Sequence, residues 1–164
     1  AFTLPMLTRL NKPGGVRGLI IEPTRELALQ VEESLRQFSR FSPLRVGVIY
    51  GGVGYGAQSE KLRKGMDIWV GTPGRMLDLF ERGQILLNDI KILVIDEADR
   101  MLDMGFIPDI EKIVSLIPAM SQKLMFSATM PPEIQKLTEE IKKVSSALDE
   151  KSMRWLEIQE EAQV

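Results

Sequence analysis

Five short apolar runs rich in valine and isoleucine punctuate the chain: Gly18 to Ile21, Arg45 to Tyr50, Asp67 to Val70, Lys91 to Ile95 and Lys123 to Phe126. They do not alternate with polar residues, so they predict strands buried on both faces, as in a parallel sheet covered by helices. Between them the period lengthens. After Thr24, the residues Leu27, Val31, Leu35 and Phe38 fall at i, i+4, i+8 and i+11 and draw one apolar stripe down a helix that Thr24 can cap. Thr72 followed by Pro73 is a second cap, with proline at the first helical position, where its missing N–H costs nothing. Met76, Leu77 and Phe80 then line one side of a helix from about Pro73 to Arg82. From Glu133 onward Ile134, Leu137, Ile141, Val144, Leu148, Trp155, Ile158 and Ala162 recur at three- or four-residue steps, apart from one polar gap near Lys151. That pattern predicts an amphipathic helix or helix pair. Strands alternating with helices mean α/β architecture.

Composition narrows the chemistry. The 164 residues suit one domain, and 44% hydrophobic with 27% charged residues is ordinary globular usage. There is no Cys and no His, which excludes a disulfide framework, a thiolate nucleophile, an imidazole base and nearly every zinc site. Carboxylates, hydroxyls and backbone amides are left to act, and a metal among them should be hard, such as Mg²⁺. With 21 Lys+Arg against 23 Asp+Glu the net charge is −2, so composition alone weighs against a nucleic-acid partner while leaving a local site open. Ala1 to Leu7 is apolar but interrupted by Pro5, and falls far short of the roughly 20 apolar residues of a membrane span. The chain reads as soluble and cytoplasmic, with no membrane partner.

The polar residues are concentrated at strand exits. Gly18 to Ile21 runs into Glu22-Pro23-Thr24-Arg25, and Val46 to Tyr50 into Gly51-Gly52. Ile68 to Val70 leads to Gly71-Thr72-Pro73-Gly74-Arg75, Lys91 to Ile95 to Asp96-Glu97-Ala98-Asp99, and Lys123 to Phe126 to Ser127-Ala128-Thr129. All five would deposit these residues on one rim, the carboxyl ends of the strands, where open α/β sheets bind ligands. Asp96 at the end of a buried strand is expensive to desolvate unless a cation or donors compensate it, which Mg²⁺-nucleotide would do. Acidic residues also favour a helix's first turn, which explains the same segment without a ligand. Ser127 and Thr129 can bond a neighbouring carboxylate or cap a helix. Arg25 and Arg75 each lie just inside a predicted helix N-terminus, where free amides and the dipole favour a phosphate; a solvated first-turn arginine is the plainer reading of either alone.

Taken in order, Pro23-Thr24-Arg25-Glu26-Leu27-Ala28, Gly51-Gly52, Thr72-Pro73-Gly74-Arg75, Asp96-Glu97-Ala98-Asp99 and Ser127-Ala128-Thr129 resemble the first RecA-like domain of a DEAD-box RNA helicase from Ala1 to about Glu140. The resemblance implies a RecA-like parallel sheet flanked by helices, with ATP and Mg²⁺ as cofactors and RNA as partner. It implies that Asp96 holds Mg²⁺ largely through water and that Glu97 positions the attacking water. Asp99 would bond Ser127 and Thr129, linking the nucleotide state to RNA. Thr24, Arg25, Gly52, Thr72, Gly74 and Arg75 would line the RNA backbone, through amides and helix dipoles that add no formal charge.

The sequence also departs from the family. The glycine-rich phosphate loop ending in Gly-Lys-Thr is absent, as are the adenine-recognising segment and the second RecA-like domain, so the fold is expected to be incomplete at its N-terminus. Residues 1–140 are read as a partial RecA-like domain and 141–164 as a helical tail that could dock a protein partner or a second copy. Three readings follow: a fragment of an ATP-dependent RNA helicase, inactive alone; an ATP-independent module binding RNA backbone or protein; and a remnant without function. Loss of the phosphate-loop strand is expected to leave apolar edges beside Lys123 to Phe126 and a chain marginal in stability or prone to association.

Overall fold

The computed structural model describes residues 2–54, 64–117 and 122–143. In chain order these form α1 (Thr3–Leu10), β1 (Gly18–Ile21), α2 (Arg25–Phe38), β2 (Val46–Ile49) and β3 (Ile68–Gly71). They continue through α3 (Pro73–Glu81), β4 (Ile92–Ile95), α4 (Ala98–Asp103), α5 (Ile107–Ser115) and β5 (Gln122–Met125). A further helix, α6, runs over 132–143. The five strands form one sheet in the order β2-β3-β1-β4-β5, parallel at every pairing. All five expected strands are present, each within about a residue of its predicted bounds.

The register is flush. Gly18 pairs with both Ile68 and Ile92, Val46 with Ile68, and Ile92 with Gln122, so every strand begins on one level. Ile49, Gly71, Ile21, Ile95 and Met125 therefore end on another. Alternate side chains face opposite sides of the sheet. Leu19, Ile21, Ile49, Trp69, Leu93 and Ile95 join α3, α4, α5 and α6 in one core. Ile20, Val46, Val48, Ile68, Val70 and Val94 join α1 and α2 in the other. Both faces are covered, which is why β1 to β4 carry no polar alternation: every residue in them is buried. β5 differs, with all four residues only half-buried, and it ends the sheet among the described residues.

The helices follow their predicted starts with two corrections. Thr24 caps α2 through its Oγ1, which accepts from Leu27 N at 3.3 Å. The inner line of α2, however, is Ala28, Glu32, Leu35 and Ser39, whereas Leu27 and Val31 are half-buried and Phe38 is 52% exposed. The buried line is offset from the expected stripe and takes in a polar residue, Glu32, whose carboxylate is satisfied by accepting from Arg36 Nε at 2.7 Å. Thr72 precedes α3 with Pro73 at its first turn but makes no side-chain capping bond, and Leu79 joins Met76 and Leu77 in the core. In α6, Ile134, Leu137 and Ile141 are buried, as their spacing predicts. Val144, Leu148, Trp155, Ile158 and Ala162 lie outside the described residues.

Candidate functional site

Because the strands end level, their exits form a straight rim, and the backbone stitches it together. Thr72 N donates to Ile49 O, Glu22 N to Gly71 O, Asp96 N to Ile21 O and Phe126 N to Ile95 O, each at 2.8–3.1 Å. The ladder carries the polar loops in the sheet's own order: Gly51-Gly52, then Thr72 to Arg75, then Thr24-Arg25, then Asp96 to Asp99, then Ser127 to Thr129. Every site residue expected from the sequence sits on this rim.

The acidic side lies over β4 and β5. Asp96 Oδ1 accepts from Glu97 N at 3.0 Å, and Ala98 N donates to Phe126 O at 3.0 Å, which tethers the start of α4 to the neighbouring strand exit. Glu97 adopts a left-handed conformation (φ 51°, ψ 51°), a strained state for a residue with a Cβ, and its carboxylate pairs with Arg100 at 3.2 Å. Asp99 reaches across to the next loop. Its Oδ2 accepts from Thr129 N at 2.8 Å and Thr129 Oγ1 at 2.9 Å, while its own amide donates to Ser127 Oγ at 3.0 Å. Thr129's hydroxyl and amide hold the Asp99 carboxyl below the usual carboxylate range. Burial pushes Asp96 upward; the Glu97 N–H opposes this and the Glu97 carboxylate adds to it. An open cleft of about 460 Å³ lies against Asp96, Glu97, Asp99, Arg100, Phe126 and Ser127.

This side suits a cation brought in on a ligand. Among the described residues no three carboxylates converge closely enough to hold a metal by themselves. Asp96 nonetheless stands at the cleft with its pKa raised by burial, a cost that a cation would relieve. Asp96 is a hard oxygen donor at the cleft, of the type that suits Mg²⁺.

The basic side lies over β1, β2 and β3. Arg25 opens α2, and its guanidinium sits 4.7 Å from the centroid of the Tyr50 ring. Arg75 is in the first turn of α3, largely buried, bonded to Asp78 Oδ2 at 3.3 Å and to Val53 O at 3.4 Å. It braces the loop after β2. Gly52 follows with φ +77° and open space where a Cβ would project. Gly74 is exposed at the start of α3.

Two further rim residues, Tyr50 and Glu22, lie outside the motifs. Tyr50 orients Arg25, and only its place at a strand exit hinted at this. Glu22 is 1% exposed, its Oε1 has no hydrogen-bond partner, and burial, with Asp96 and then Glu97 adding, pushes its carboxyl up to about 8. An acid directly after the apolar run of β1 was the available signal.

Residues 1–137 match the DEAD/DEAH box helicase family. The chain belongs to that family. It is 46% identical over 138 residues to the DEAD-box ATP-dependent RNA helicase CshA of Streptococcus pneumoniae, covering 84% of this chain and 26% of that protein. It is 48% identical over 140 residues to the ATP-dependent RNA helicase DeaD of Mycobacterium tuberculosis, covering 84% of this chain and 25% of that one. Among solved structures, a DEAD box protein from Methanococcus jannaschii superimposes with a TM-score of 0.80 at 42% identity, covering 84% of this chain and 38% of the other. A hypothetical ATP-dependent RNA helicase from Sulfolobus tokodaii gives 0.80 at 39% identity, covering 85% of this chain and 40% of the other. The DEAD-box chain thus has the RecA-like fold and spans about a quarter of the length of the curated relatives it matches. Among its described residues no helix is long and apolar enough to cross a membrane.

Proposed function

We propose that this DEAD-box chain carries the phosphate-handling rim of a cytoplasmic ATP-dependent RNA helicase, with the acidic side serving Mg²⁺-ATP and the basic side the RNA backbone. The observation that carries this reading is the level row of strand exits, which sets Asp96, Ser127, Arg25 and Arg75 on one edge of one sheet. Asp96 would hold Mg²⁺, largely through water, and Glu97, projected by its left-handed backbone, would position the attacking water. Mg²⁺ would supply charge neutralisation between phosphate oxygens. Asp99 is already bonded to Thr129, so a change in the Asp96-Glu97 loop would be passed to the next loop through those two hydrogen bonds. Thr24, Arg25, Gly52, Thr72, Gly74 and Arg75 would contact sugar and phosphate without reading bases. Residues 1–140 would form the RecA-like unit, with 141–164 appended to it.

The basic side is tested by salt-dependent binding of a single-stranded oligonucleotide to the 164-residue chain. Arg25→Ala is expected to weaken binding several-fold and to flatten the slope of log K against log salt by about 0.7, the share of one phosphate contact on a single strand. Arg75→Ala should add to it, with some loss of stability because Arg75 also bonds Asp78 and Val53. Unchanged affinity and slope in the double variant would remove the RNA reading of this rim.

The sequence holds no Gly-Lys-Thr to cradle the β and γ phosphates, so the chain alone is expected to turn over no useful ATP. Calorimetry with Mg²⁺-ATP should give no submillimolar binding. Submillimolar heats that vanish in Asp96→Asn would overturn the expectation of inactivity.

A further inference from the structure

The end of the domain away from the rim carries an unusual surface. Residues 36–45 read Arg-Gln-Phe-Ser-Arg-Phe-Ser-Pro-Leu-Arg, three arginines and no acid, within a chain whose net charge is −2. Two aromatic rings project from this stretch: Phe38 is 52% exposed and Phe41 is 96% exposed. Their exposure is built in. Ser39 N donates to Leu35 O at 2.8 Å, Ser42 N to Ser39 O at 2.8 Å and Leu44 N to Ser42 Oγ at 3.3 Å, while Ser39 and Leu44 are buried. The turn is thus pinned from both sides, and Phe41 is held outward at its apex. The Arg40 guanidinium lies 5.8 Å from the Phe41 ring centroid, and among the described residues Arg40 has no carboxylate partner. Arg36 pairs with Glu32 but its side chain remains 56% exposed.

We propose that Phe38, Arg40 and Phe41 form a stacking subsite for single-stranded RNA, separate from the rim. A nucleobase would lie on an open face of Phe41, and Arg40 and Arg36 would meet the adjoining phosphates. Arg36 and Arg45 are paired with Glu32 and Asp67, so the charge that favours a polyanion here is that of Arg40, and an aromatic face beside arginine suits unpaired bases better than a duplex, whose bases are already stacked. The subsite rests on the reading that RNA is the polymer this chain handles. It lies at the far end of α2, whose 14 residues place it about 20 Å from Thr24. A strand of several nucleotides could therefore touch both places.

The test is binding of a fluorescein-labelled oligouridylate to the 164-residue chain, with 5-iodouridine crosslinking to map the contact. Phe41→Ala and Arg40→Ala are each expected to weaken binding about tenfold, with thermal midpoints unchanged because both side chains are exposed. Phe41→Trp should retain binding and Phe41→Leu should lose it, since stacking needs a π face and not merely apolar area. The adduct should map to residues 38–41. Full affinity in Phe41→Ala together with loss in Arg25→Ala would overturn the subsite and leave the rim standing. The reverse pattern would overturn the rim and leave the subsite. Equal competition by a polyglutamate peptide, with no base adduct, would reassign the surface to an acidic protein and end the proposal.

Discussion

Replacing Asp67 with Ala is expected to remove about 3–5 kcal/mol of folding stability, the usual cost of deleting one partner from a buried charged cluster. Asp67 is 0% exposed at the amino-terminal end of the sheet. Its Oδ1 accepts from Gly14 N at 2.9 Å and its Oδ2 from Arg45 N at 2.8 Å, and the guanidinium groups of Arg17 and Arg45 each stand 3.9 Å away. Its backbone bonds Arg17, Gly18 and Arg45 as well. One side chain thus joins the loop before β1, the start of β2 and the start of β3. Removing it strands two amides and leaves Arg17, whose Nε already lacks a partner, without its counter-charge. Against a typical domain stability of about 5–15 kcal/mol this is a large fraction. Asp67→Asn should fall between, since its amide nitrogen presents hydrogens where an acceptor is needed. Urea midpoints measure both. A loss under about 1 kcal/mol in the alanine variant would mean that the knot is not what registers these strands.

The second large effect depends on pH. Burial, with the Asp96 and Glu97 carboxylates adding, pushes the Glu22 carboxyl from an ordinary value of 4.5 up to about 8 in the folded chain, so the native state keeps a proton that the unfolded state releases. Wherever the folded state binds more protons, stability falls as pH rises. The penalty is therefore absent below about pH 4.5, grows through neutrality and levels off above about pH 8. Glu22→Gln removes the titration. The variant should gain on the parent between pH 5 and pH 8, by on the order of 2–4 kcal/mol in total. The difference between the two curves is the readout, because the amide adds a constant offset of its own. Curves that stay parallel from pH 5 to pH 8 would show Glu22 to be solvated or paired.

These two residues mark the limit of what the sequence disclosed. Strand existence was legible because burial on both faces leaves unbroken apolar runs, and the rim was legible because its polar residues follow those runs directly. The strand order β2-β3-β1-β4-β5 was not readable from the pattern of residues, since parallel neighbours are distant in the chain and no local signal encodes their pairing. The inward face of α2 is hidden from the sequence for a related reason. Apolar spacing locates a stripe, but the line that faces inward includes Glu32 and Ser39, whose burial depends on partners such as Arg36. Asp67 and Glu22 are both acids at the ends of apolar runs. One is satisfied by amides and guanidinium groups and the other is orphaned, and that difference exists only once the sheet has formed.

The level register has a consequence for which changes the domain can absorb. Each residue advances a strand by about 3.3 Å and reverses the side its side chain faces. A single insertion or deletion within β1 or β4 would therefore both lift a rim loop out of line and turn one core inside out. The same event in the turn around Phe41, outside the ladder, would disturb neither. Length variation should accordingly be confined to the end of the domain away from the rim, while the strands keep their residue count fixed.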